Sequence, residues 1–296
     1  MADPVPQLVE PAWLESHLTA PDLRVLDCTV HLSFHPETGA RQSRPGRADW
    51  AAGHVPGSGF ADLLGDLSET EDADYPFQAL PPRRFADAME ALGVGDDSRV
   101  VLYDASGNRW AARVWWLLRS IGFDRAGVLN GGWERWTRED RPVATDADEP
   151  DPASLSVDPR PACFADAATV SESIDRDDRC LINALRPADH AGETVVKYGR
   201  PGHIPTSVNV PAVGDGGVLD PDTGTYLPRD ELRRRFDRAG ALEADRVITY
   251  CGGGIAASSV AFALTRLGVE DVAVYDGSLS EWGADPDRPM TTGRGA

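Results

Sequence analysis

Three blocks of this chain occur twice, in the same order. Residues Arg99-Val100-Val101-Leu102-Tyr103-Asp104 match Arg246-Val247-Ile248-Thr249-Tyr250-Cys251. Upstream, Gly53-His54-Val55-Pro56-Gly57-Ser58 matches Gly202-His203-Ile204-Pro205-Thr206-Ser207. Downstream, Asn130-Gly131-Gly132 and Trp136 match Asp276-Gly277-Ser278 and Trp282. The offsets run from 146 to 149 residues, so the repeating unit is a whole domain and not a solenoid unit. At 296 residues the chain holds two such domains, each long enough to bury its own core. We expect a first domain over 1–145, a link over 146–162 rich in Asp and Pro, and a second domain over 163–296.

Local patterns give the fold class. Leu23–Asp27, Val100–Asp104 and 127–129 are short, unbroken apolar runs, and 181–183, Val247–Cys251 and Val272–Tyr275 repeat them. Strands without alternation are buried on both faces, as in parallel sheets. Helical spacing lies between them. Phe85, Met89 and Leu92 correspond to Leu232, Phe236 and Ala239. Val114, Leu117, Leu118 and Ile121 correspond to Val260, Ala263, Leu264 and Leu267. Each set predicts one apolar stripe laid on a sheet. Gly122 and Gly268 stand where a helix ends in a left-handed residue. Alternating strands and helices make an α/β fold, with ligands held beyond the carboxyl ends of the strands.

Cys251 stands at that end of its strand, and Asp104 takes its place in the first copy. Gly252, Gly253 and Gly254 follow it, then Ile255 and Ala256 as a helix begins. Three glycines leave only backbone in the loop, free to aim N–H groups inward. The start of the helix adds its positive dipole end. Such a nest favours a thiolate at Cys251 and holds an anion formed on it. The other cysteines, Cys28, Cys163 and Cys180, show no metal-ligand spacing and are expected as small buried apolar residues. No metal or organic cofactor is expected.

Charge narrows the partners. The formal net charge is −19, and Lys197 is the only lysine. An acidic, Lys-poor surface of this kind fits a salt-accumulating, halophilic microbe, whose ions screen the self-repulsion. It argues against nucleic acid or an anionic membrane as partner. No apolar run reaches the length of a membrane span, and the first seven residues do not form a signal peptide. Free thiols in the cytoplasm are the expectation.

The Gly-His-x-Pro blocks, the loop from Cys251 to Ala256, and Tyr275-Asp276-Gly277-Ser278 with Glu281-Trp282-Gly283 together resemble the tandem-domain rhodaneses, the thiosulfate and 3-mercaptopyruvate sulfurtransferases. The resemblance covers roughly Leu8 to Pro289. It implies two rhodanese-like domains, each a parallel sheet flanked by helices, the first inactive and the second catalytic. In that family the cysteine attacks the donor's outer sulfur and becomes a persulfide. It then passes the sulfur to a thiol, cyanide or a thioredoxin-like acceptor. Cys251 is then the nucleophile, with Gly252, Gly253, Gly254, Ile255 and Ala256 around a small anionic sulfur donor. Some features depart from the pattern. Thiosulfate-preferring members carry cations at the loop's second and third positions. Mercaptopyruvate-preferring members carry Gly then Ser, with Thr at the sixth; here Gly253 and Ala256 lack both hydroxyls. The family's Asp-x-Arg is replaced by Asn183-Ala184-Leu185-Arg186, which displaces the arginine by one position. We expect Arg186 still to reach the donor's anion. His54 is expected to face the cleft more readily than His203, and Arg44, Arg47 and Arg109 are the first-domain cations available to it. A phosphatase of similar fold needs an arginine six residues after the cysteine, where this chain has Ala257. A persulfide carrier without turnover is the non-enzymatic alternative.

Overall fold

The computed structural model describes residues 4–146 and 150–294. In chain order, the first half contains β1 (Leu8–Val9), α1 (Pro11–His17), β2 (Leu23–Asp27), β3 (Val30–Phe34), β4 (Arg41–Pro45), α2 (Arg47–Ala52), β5 (Ser58–Phe60), α3 (Pro82–Ala91), β6 (Arg99–Tyr103), α4 (Arg109–Ser120), β7 (Ala126–Leu129) and α5 (Gly132–Arg138). The second contains β8 (Phe164–Ala165), α6 (Ala167–Ser173), β9 (Arg179–Asn183), α7 (Pro187–His190), β10 (Val208–Asn209), α8 (Arg229–Arg238), β11 (Arg246–Tyr250), α9 (Ile255–Leu267), β12 (Val272–Tyr275) and α10 (Ser278–Trp282).

Each half builds a five-stranded parallel sheet. The orders are β1-β7-β6-β2-β5 and β10-β9-β11-β12-β8, so equivalent strands occupy equivalent places. The register repeats as well: Asp27 lies opposite Tyr103, and Asn183 opposite Tyr250. The apolar runs read from sequence are the inner strands, whose side chains are buried on both faces. Gly122 and Gly268 both sit at positive φ at the ends of α4 and α9.

Two expectations need correction. α4 and α9 do not carry a single apolar stripe. Residues 110–118 of α4 are all buried, as is nearly all of α9. One face lies on each helix's own sheet, and the other packs against its counterpart. Trp115 meets Phe262 edge-on at 4.8 Å between ring centroids. Nor does each half bury a separate core. One apolar cluster runs through both, from Leu26 and Trp116 to Phe262 and Val274. Smaller private clusters cover the outer sheet faces. The interface also buries an ion pair, Arg113 Nη2 to Asp276 at 2.5 Å, with the arginine side chain fully covered.

Residues 150–160 form neither helix nor strand, yet they are tied along the first half. Leu155 is buried and its N–H donates to Glu90, while Ser156 bonds Asp96 through both its N–H and its hydroxyl. The expected link also includes 147–149, which lie outside the described residues. The antiparallel hairpin β3–β4 belongs to the first half alone among the described residues.

Candidate active site

Cys251 directly follows β11 and lines a cavity of about 620 Å³ between the two halves. The second half supplies the loop, the 184–189 turn, Lys197, Tyr198 and Ser280. The first supplies the β3–β4 hairpin, Pro76, Phe77, Arg109 and Trp110. The hairpin tip reaches the second half: a Cβ on Gly39 would strike the Val196 carbonyl at 2.0 Å.

The loop is held from behind. Ser278 Oγ accepts from the N–H groups of Cys251 and Gly254, both at 3.1 Å, and donates to Tyr275 O. Leu279 N–H donates to Cys251 O, and Ser280 binds Gly252 O through its N–H and its hydroxyl. Gly254 is the left-handed cap of α9 at φ 78°; it does not line the cavity. Gly252, Gly253, Ile255 and Ala256 do line it, and their N–H groups have no partner among the described residues. The expected nest is therefore four open donors around the thiol.

The first copy shows what this loop shape holds. Asp104 Oδ1 accepts from the N–H groups of Ser106 and Asn108 at 2.7 and 2.9 Å. Its Oδ2 accepts from Trp110 and Ala111, both at 2.9 Å. Asn108 is the left-handed cap of α4, as Gly254 is of α9. In the first copy the nest is filled by its own carboxylate.

The glycines at 252 and 253 are explained by neighbours. A Cβ on Gly252 would lie 2.2 Å from the Tyr198 ring, and one on Gly253 would lie 3.3 Å from Phe77. Phe77 is itself in the left-handed region at φ 63°. It is held there by Arg113 donating to its carbonyl at 3.0 Å, by Trp110 edge-on, and by the Arg41 guanidinium over its ring at 4.9 Å. Asp276 Oδ2 fixes the same segment by accepting from Ala79 N–H and Tyr75 OH.

Four cationic side chains face the cavity: Arg41, Arg109, Arg186 and Lys197. Lys197 pairs with Asp189 at 2.6 Å. The other three have no carboxylate partner among the described residues. A chain of net charge −19 thus turns a cationic surplus toward one thiol. The remaining cysteines are buried and free. Burial pushes the Cys28 and Cys163 thiols up, and Cys180 up to about 11, so they stay protonated and inert.

A rhodanese-like domain model matches residues 10–139 and again 167–285. The chain belongs to the rhodanese family. It is 34% identical to the probable 3-mercaptopyruvate sulfurtransferase of Pseudomonas aeruginosa, over 97% of this chain and 98% of that one. It is 31% identical to the thiosulfate sulfurtransferase of Bos taurus, over 97% and 96%. The crystal structure of SseA from Escherichia coli, a 3-mercaptopyruvate sulfotransferase, superposes with a TM-score of 0.79 at 28% identity, over 93% of this chain and 99% of SseA.

In this rhodanese Arg186, though displaced in sequence, lines the cavity with Cys251. Of the first-domain cations expected, only Arg109 does. Arg44 pairs with Asp49 at the surface, and Arg47 lies over the Phe60 ring. His54 does not face the cleft. Its ring is buried and stacked on Trp50, with its two nitrogens on the carbonyls of Trp50 and Asp146. His203 is likewise buried and stacked on His190 at 3.7 Å. Sequence reasoning missed Arg41, Lys197, Tyr198 and Phe77. Lys197 alone carried a signal, as the single lysine of an Arg-rich chain. Leu279 is buried behind the loop. No helix among the described residues is long and apolar enough to cross a membrane, and no group of His, Cys, Asp and Glu among them is arranged to hold a metal.

Proposed function

We propose that this rhodanese is a sulfurtransferase. It moves a sulfur from thiosulfate or 3-mercaptopyruvate to a thiophilic acceptor through a persulfide on Cys251. The observation that carries this reading is the open nest: four N–H groups beside a thiol with no partner among the described residues, in a cavity with surplus cations. Residues 1–145 then act as the inactive half, 146–162 as the link and 163–296 as the catalytic half.

With thiosulfate, the Cys251 thiolate attacks the outer sulfur. A Cys–S–S bond forms, the bond to the sulfonate sulfur breaks, and its electron pair leaves on sulfite. With 3-mercaptopyruvate the C–S bond breaks, and the electron pair stays on the carbon, which takes the thiol proton to give pyruvate. In both cases negative charge ends on the outer sulfur of the persulfide. The N–H groups of Gly252, Gly253, Ile255 and Ala256 are placed to hold it. Attack by cyanide or a thiol on that sulfur returns the Cys251 thiolate and releases thiocyanate or a new persulfide. The cavity has room for small acceptors, with Arg186 toward the donor's charge, and a thioredoxin-like protein is the larger acceptor of this reading. Free buried thiols fit a cytoplasmic setting.

Cys251→Ser should abolish transfer to cyanide and to dithiothreitol, while Cys28→Ser, Cys163→Ser and Cys180→Ser retain it. Donor alone should add one sulfur, about 32 Da, to the peptide containing Cys251. Activity retained in Cys251→Ser, or turnover without that adduct, would sink the covalent route. An adduct without turnover would make the protein a persulfide carrier.

A further inference from the structure

The first half has no nucleophile, yet it extends a guanidinium into the cavity. Arg109 is the first residue of α4, directly after the left-handed cap Asn108. Its counterpart after the left-handed cap Gly254 is Ile255, the first residue of α9. Both line the same cavity, so the two copies of one loop face each other across it. The position that is apolar beside the thiol is cationic on the opposite wall.

Arg109 is partly buried, and its only hydrogen bond among the described residues is from Nε to Ser106 O at 3.1 Å. The nearby carboxylate of Asp104 already accepts from four N–H groups and forms no ion pair with it. Toward the second half it shares the cavity wall with Arg186, Cys251 and Tyr198, whose charges act on it. Desolvation, with the like charge of Arg186 adding to it, pushes the guanidinium below its usual range. Two unpaired guanidinium groups turned toward one cysteine repel each other until an anion lies between them. The planar fork of each suits a carboxylate or sulfonate held through two oxygens.

We propose that Arg109 and Arg186 form an anion clamp, one arm from each half, that grips the charged end of the sulfur donor while its sulfur rests against Cys251. Arg109 is thereby a specificity-determining residue, and the half without a nucleophile contributes half of the donor site. The clamp rests on the sulfurtransferase reading for its ligand, an anionic headgroup within a few bonds of the transferred sulfur.

The test uses charge-matched alkylation of Cys251, which needs no sulfur transfer. Iodoacetate and iodoacetamide react with the same thiol and differ in one charge. Their rates at Cys251 are read by peptide mass in the full-length protein. Arg109→Gln should lower the iodoacetate-to-iodoacetamide ratio about tenfold, in keeping with one lost charge-assisted hydrogen bond, and the ratio cancels any change in the thiolate fraction that both reagents share. Arg109→Lys should recover part of the ratio. In turnover, Arg109→Gln should raise KM more than it lowers kcat. A larger loss with thiosulfate assigns the clamp to a sulfonate, and a larger loss with 3-mercaptopyruvate assigns it to a carboxylate. An unchanged alkylation ratio in both folded variants overturns the clamp. If wild type turns over neither donor while the ratio still falls in Arg109→Gln, the clamp stands and the donor assignment fails.

Discussion

Asp276→Asn tests how the two halves are locked together over the site. Asp276 Oδ1 lies 2.5 Å from Arg113 Nη2, and Oδ2 accepts from Ala79 N–H at 2.8 Å and Tyr75 OH at 3.3 Å. The Arg113 side chain is 0% exposed and that of Asp276 10%, so water does not replace the lost charge. Asparagine has the same shape but only one acceptor oxygen. Its NH₂ must face either the guanidinium or the Ala79 N–H, and each of these is a donor. Breaking a buried pair from one side costs about 3–5 kcal/mol. With a urea m-value of about 3 kcal/mol/M for a chain of this size, the midpoint should fall by about 1 M or more. The assay is urea unfolding followed by tryptophan fluorescence in molar KCl, where the surface charge is screened but this pair is not. Arg113 also holds the Phe77 carbonyl, so kcat/KM should fall at urea concentrations where the variant is still folded. Arg113→Met and the double variant complete a cycle whose coupling should exceed about 1 kcal/mol. A single-variant cost below about 1 kcal/mol, or strict additivity, would refute the view that this pair locks the interface.

Arg186→Ala should lower kcat/KM about ten- to hundred-fold for either donor, and Arg186→Lys should restore only part of the loss, because a point charge lacks the planar fork. Kinetics within twofold of wild type would make it a bystander. Asp27 gives a pH dependence: burial pushes its carboxyl up to about 6, against the bond from Thr29 N–H. A raised carboxyl contributes stability that is full below its unfolded value near ~4 and is lost as pH rises through 6. Between pH 5 and 8 the melting midpoint should therefore fall, and Asp27→Asn should flatten that slope and raise the midpoint at pH 8. Asn183 already plays this part in the second half, its Oδ1 accepting from Leu185 N–H at 2.9 Å. A slope unchanged in Asp27→Asn would place the titration elsewhere.

The fold was legible where burial comes from one source. Inner strands read as unbroken apolar runs because both sheet faces are covered. α4 and α9 misled because a second burial, by the other half, was superposed on the first. Arg113 sits fully covered in the middle of α4, and no periodicity marks it as interior. The β3–β4 hairpin was invisible for the opposite reason. Residues 41–44 are all exposed and polar, and their order comes from pairing with β3 and contact with the second half. The site divided along the same line. Cys251 and its loop were legible because strand end, glycines and helix start are contiguous. Arg41, Phe77, Lys197 and Tyr198 converge from segments without pattern, and only the tertiary fold brings them together.

The residue that opens each loop sets what its N–H groups hold. A cysteine Sγ stands one bond beyond Cβ. An aspartate carries its charge two bonds beyond Cβ, on Oδ. A persulfide does the same, on its outer sulfur. Asp104, held by four N–H groups, therefore has the reach and charge of the intermediate proposed for Cys251, built permanently into the first copy. The second loop is one residue shorter between strand and helix, and four of its own N–H groups have no partner among the described residues. On this view the nest discriminates between the resting thiolate and the persulfide by length. The outer sulfur of a persulfide reaches further among these N–H groups than the thiolate does, so the loop favours forming the persulfide. An acceptor must then overcome the hold of those same N–H groups to take the sulfur away.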